Sequence, residues 1–123
     1  MTNLLETNKT GKFNKIVLSA NDGLHFLELE NIVRLQSDIN YTTFHLIDGR
    51  QIVVSKTLKN FETLLEGEDF FRPHRSHIIN LKHISKILKE DGGFILMKDG
   101  IQVPISRNKK EQFMDLVKDR FIQ

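Results

Sequence analysis

At 123 residues and 14.3 kDa, with 39% hydrophobic and 28% charged residues, the chain fits one domain able to bury its own core. Its apolar runs are only a few residues long, which excludes a membrane-spanning helix, and the polar start Met1–Lys12 lacks the apolar stretch of a signal peptide. There is no cysteine, so disulfides and thiolate metal sites are excluded and a reducing, cytoplasmic location is expected. The net charge of +2 hides an asymmetry. Residues 1–71 carry 7 Lys/Arg against 10 Asp/Glu, whereas residues 72–123 carry 11 against 6. A basic second half suits a polyanion, although a merely solvated face would also produce it.

In chain order, residues 1–13 read as a polar tail or linker and 14–123 as the folded domain. "KIVLSA" and "LHFLELE" flank Asn21-Asp22-Gly23, a hairpin signal. "NIVRLQSD" and "YTTFHLI" are strands separated by Ile39-Asn40, and Asp48-Gly49 turns into "QIVV". Ser55 is a candidate cap for a helix over Lys56–Leu65 with Leu58, Phe61, Leu64 and Leu65 on one face. "ISKILK", "FILMK" and "IQVPI" then follow one another through turns at Asp91-Gly92-Gly93 and Asp99-Gly100. Ser106 is a candidate cap for a last helix striped by Phe113, Leu116, Val117 and Phe121. Strands at this spacing with Gly turns predict a mainly β, mostly antiparallel fold with short helices.

Between these segments lies "FFRPHRSHIINLKHISKI", residues 70–87. From Arg72 to Lys89 there are five Lys or Arg, three His and no Asp or Glu. His74, His77 and His83 lack a carboxylate or Cys partner in the patch, and an extended 74–79 would turn His74 and His77 to opposite faces, so no metal site is expected. His25 and His45 read as ordinary strand residues. No nucleophile elbow, P-loop or dinucleotide fingerprint is present, and the carboxylates at Asp22, Asp48, Asp91 and Asp99 are explained by turns and solvation. The expectation is therefore no enzyme and no cofactor. Arg72 and Arg75 flank the stiff Pro73-His74, with Ser76 and His77 as short donors beside them. A second basic cluster, Arg107-Asn108-Lys109-Lys110, stands where the last strand becomes the last helix, where side chains and helix N–H groups make an anion site. Together the clusters point to nucleic acid.

"FFRPHRSHIINLKHISKI" resembles the signature of the LytTR family of bacterial DNA-binding domains, an F-x-R-x-H-R-S core before a short I/V-N-L strand. "ENIVRLQSDINYTTFHLIDGR" and "LMKDGIQVPISRNKKEQF" resemble the family's earlier strand–loop–strand segment and its closing hairpin, Ser-Arg turn and helix. The resemblance implies an elongated domain of about ten mostly antiparallel strands in small sheets, with short helices including a C-terminal one. It implies loops that enter successive major grooves of double-stranded DNA, as in the output domain of a two-component response regulator. Carried over, Asn40, Arg75 and Arg107 would reach bases, and Ser76, His77, Asn108, Lys109 and Lys110 would meet phosphates. His74 would be a supporting or buried residue.

The residue types agree: Asn suits adenine and Arg suits guanine. From the residues alone, however, Asn40 is a turn residue and Tyr41 a core residue. The implied partners are DNA, a receiver domain upstream with its sensor kinase, and a second copy on direct-repeat sites. Two alternatives stay open: a stand-alone regulator without a receiver, or a protein-binding antagonist that kept the fold. RNA binding would need exposed aromatics, for which Tyr41 and Phe70 or Phe71 are the candidates near the patch.

Overall fold

A computed structural model describes residues 13–89 and 93–123. Ten strands form three antiparallel sheets. The first is a two-stranded ribbon of β1 (Lys15–Ala20) and β2 (Gly23–Glu28). The central sheet has the order β5-β4-β3-β7-β6, built from β3 (Ile32–Asp38), β4 (Tyr41–Leu46), β5 (Gln51–Val54), β6 (Phe70–His74) and β7 (His77–Asn80). The third has the order β10-β9-β8, from β8 (Ile84–Leu88), β9 (Phe94–Met97) and β10 (Gln102–Pro104). Two helices, α1 (Leu58–Leu64) and α2 (Lys110–Arg120), complete the fold.

The period-two alternation of the central strands sends side chains into two cores. Leu35, Phe44, Leu46, Ile52, Val54 and Ile78 face one side, where the β1–β2 ribbon contributes Leu18 and Leu27 and α1 contributes Leu58, Phe61 and Leu65. Phe44 and Phe61 meet edge to face at 4.8 Å between ring centres. Val33, Phe71 and Ile79 face the other side, against Ile95, Met97 and Val103 of the third sheet and Phe113 of α2. β7 is thus covered on both faces, which explains its unbroken "HII" run. Asn80, 2% exposed, donates from Nδ2 to the carbonyls of Leu29 and Ile32 and accepts the Lys82 N–H at Oδ1, so its burial leaves no polar atom idle.

Several sequence expectations need correction. The first helix starts at Leu58 with Thr57, not Ser55, in the cap position, and the Thr57 hydroxyl donates to the Asn60 side chain instead of accepting a backbone N–H. Leu64 is exposed, because the buried face is carried by Leu58, Phe61 and Leu65. Ser106 stands before a 3-10 turn, Arg107–Lys109, and α2 follows it, with Phe113 as its buried anchor and Phe121 already beyond its end. Tyr41 is 51% exposed. It shares with Thr43 and His45 a face of β4 that neither core covers. Gly93 holds φ +102° between β8 and β9, while Asp91 and Gly92 of the expected turn lie outside the described residues.

Asp99 is more than a turn residue. Its Oδ2 accepts from Nε of Arg34 at 2.8 Å, and Arg34 is 4% exposed within β3. A second Arg34 bond runs from Nη1 to Gln36 Oε1 at 3.0 Å. The β9–β10 turn therefore supplies the counter-charge for a cation sunk in the central sheet.

Candidate nucleic-acid interface

His74 and His77 do not lie on one strand. The chain reverses between them through the two-residue turn Arg75-Ser76, so they are cross-strand partners with rings 5.8 Å apart. The expectation that they face opposite ways fails because a turn replaces the extended segment. Two-residue hairpins commonly rely on positive φ, yet neither Arg75 nor Ser76 has it. Hydrogen bonds hold this turn instead. Arg72 Nη2 donates to the Arg75 carbonyl at 2.7 Å, the Ser76 N–H donates to His74 Nδ1 at 3.1 Å, and the Ser37 N–H donates to the Ser76 carbonyl at 3.0 Å. Arg72 Nη1 also donates to Glu62 of α1 at 2.8 Å. Arg72, read from sequence as one of two cations flanking Pro73-His74, is thus committed inside the protein. His74 is a supporting residue of the turn.

Antiparallel pairing brings the loops together. Gln36 of β3 lies opposite His77 of β7, so the Ile39-Asn40 turn and the Arg75-Ser76 turn leave the sheet at the same end. On the outer edge of β6, the Ser106 N–H donates to the Pro73 carbonyl at 2.8 Å, which fixes the start of the Arg107 turn beside the second loop. Asn40, Arg75 and Arg107 are all exposed on that end. Asn108 is exposed too, whereas Ser76, His77, Lys109 and Lys110 are partly buried. Lys109 leans over the Phe71 ring, its Nζ 6.0 Å from the ring centre.

Two histidines behind this surface, His77 and His45, are pushed towards the neutral form. Burial first, and then the charge of Arg34, lower His77 from the ordinary 6.5 to about 4. Burial and Arg34 likewise lower His45, against a smaller opposing pull from Asp99. His77 near neutral pH is therefore a hydrogen-bonding group without charge. The cationic character of the surface comes from Arg75, Arg107, Lys109 and Lys110. Among the described residues, no three His, Cys, Asp or Glu are arranged to hold a metal ion, and no helix is long and apolar enough to cross a membrane.

The domain as a whole has matches among known proteins. The model of the LytTr DNA-binding domain covers residues 22–118. The chain belongs to the LytTr DNA-binding domain family. A solved LytTr DNA-binding domain from Bacillus cereus superposes with a TM-score of 0.73 at 25% identity, covering 85% of this chain and 96% of that one. The heme-containing CO-sensing transcriptional regulator RcoM 1 of Paraburkholderia xenovorans is 33% identical over 106 residues, 84% of this chain and 39% of its own length. The sensory transduction protein LytT of Bacillus subtilis is 26% identical over 114 residues, 91% of this chain and 47% of its own length. The match thus spans less than half the length of RcoM 1 and of LytT.

Sequence reasoning missed the internal duties of Arg72 and Asp99 and the weight carried by the Ser37 and Ser106 amides. Backbone bonds between distant segments leave no residue-type signal. The ion pair joins positions 34 and 99, too far apart for any local pattern to reveal.

Proposed function

We propose that this LytTr domain reads double-stranded DNA in the major groove through three loops, 37–40, 75–76 and 106–107, as the output part of a transcription regulator. The observation that carries this reading is the array itself: three exposed side chains of base-reading type, on turns joined by the Ser37–Ser76 and Ser106–Pro73 backbone bonds. In this reading Asn40 pairs with adenine, and Arg75 and Arg107 pair with guanine. Ser76, His77, Asn108, Lys109 and Lys110 meet phosphates, with His77 acting as a neutral donor. Two copies occupy direct repeats, each copy lying along one face of the duplex.

The regulators among its relatives are more than twice as long as the matched region, which supports a sensing or receiver partner, with a sensor kinase upstream in the receiver case. RNA stacking is disfavoured by the aromatics. Phe71 is buried and Phe70 packs on a core, leaving Tyr41 as the exposed ring of the three.

Selection of genomic fragments by the purified protein, followed by titration at two salt concentrations, tests this. The expected outcome is a repeated motif spaced by about one helical turn (~10 bp). Affinity should fall with salt at a log–log slope near −0.9 per phosphate met. Arg75→Ala should weaken the selected site by about 1–3 kcal/mol. Equal binding by Arg75→Ala removes Arg75 from the readout, and selection of no motif overturns sequence-specific reading.

A further inference from the structure

Among the described residues, positive φ falls on Gly23, Gly49, Gly67, Gly93, Gly100 and one non-glycine, Ile39 at +56°. A two-residue hairpin turn such as Ile39-Asn40 asks for that conformation, and glycine or asparagine adopts it easily. A β-branched side chain is the poorest choice there, because its own Cβ substituents crowd the backbone. Packing does not compensate, since Ile39 is 89% exposed. An apolar residue that suits neither its backbone nor its solvent calls for a partner outside the chain. Its position narrows what the partner is. Ile39 stands next to Asn40, at the same end of the sheet as Arg75.

We propose that Ile39 is a specificity-determining residue whose side chain packs on the 5-methyl group of a thymine. That methyl is the apolar feature of the major-groove edge, so an aliphatic group delivered there distinguishes A·T from the other pairs. Asn40 beside it suits adenine, and the two neighbours together favour an A·T-containing step. The inference rests on the major-groove reading given above.

The test uses the duplex selected by the full chain, with each thymine replaced in turn by uracil, which keeps base pairing and removes only the methyl. The unaltered protein should lose affinity about fourfold at one position, the worth of one buried methyl group. Ile39→Gly should bind the thymine duplex about fourfold more weakly and ignore the uracil swap at that position. Because glycine suits φ +56°, this variant should melt no lower than the unaltered chain, which separates lost contact from lost folding. Insensitivity to uracil at every position overturns the proposal, as does an equal loss in both proteins. If either occurs while Arg75→Ala still weakens the selected site, Ile39 alone is excluded. If the chain selects no sequence at all, the groove reading falls and this inference with it.

Discussion

Arg72 directs its guanidinium inwards, with Nη1 on Glu62 and Nη2 on the carbonyl of Arg75, while Arg75 itself is exposed. The two arginines share a chemistry, but one orients the turn that carries the other. A lysine keeps the charge at position 72, yet its single ammonium lacks the planar fork that spans two acceptors. Arg72→Lys should therefore weaken the selected site about tenfold, the worth of one charge-assisted hydrogen bond. Binding to scrambled DNA and its salt slope should stay unchanged. A fall of about one in that slope would instead make Arg72 a phosphate contact. His74 acts beside it through its ring nitrogen, which accepts the Ser76 N–H.

The turns between strands differ in weight, and two aspartates measure the difference. Asp48 pairs with Arg50 in the open, at 53% and 64% side-chain exposure, whereas Asp99 pairs with an Arg34 side chain only 5% exposed. Removing one partner of a buried pair strands the other, so Asp99→Ala should cost about 3–5 kcal/mol in urea unfolding. Asp48→Ala should cost under about 1 kcal/mol. A similar small cost at both positions would show that Arg34 finds water or another acceptor.

In sequence the two turns look alike, Asp48-Gly49 and Asp99-Gly100, and both were legible as turns for that reason. What differs is the sheet each packs against, which no local pattern carries. The same holds for Tyr41 and Leu64. Alternation and helical spacing group residues by face, but not by which face a neighbour covers. Strand order along the chain was readable from Gly turns and β-branched runs. The clusters at Arg75 and Arg107 were readable because Lys and Arg gather there with no Asp or Glu among them. Their meeting at one end of the molecule depends on β3 pairing with β7 and on the Ser106–Pro73 bond, which only the fold displays.

At the scale of the whole molecule, the half-buried histidines couple stability to pH. His77 keeps its proton off in the folded chain down to about pH 4, but an unfolded histidine takes one up near 6.5. Between those values the unfolded state holds more protons, so stability should fall as pH drops from about 6.5 towards 4, with the lowered His45 adding in the same direction. Urea midpoints across that window should show the decline, and His77→Gln should flatten it. An unchanged slope in His77→Gln would place the proton uptake elsewhere.

The pairing of β3 with β7 also governs how the interface comes into being. β4, β5, α1 and β6 all lie between the two strands in sequence, so their ladder closes a long loop, whereas the β3–β4 turn forms between immediate neighbours. Such non-local closure is the slow part of folding. The first loop can therefore take shape early, but the Ser37–Ser76 bond that sets the second beside it must wait for that closure. A chain in which β3 and β7 have not yet paired lacks the register that sets the two loops side by side.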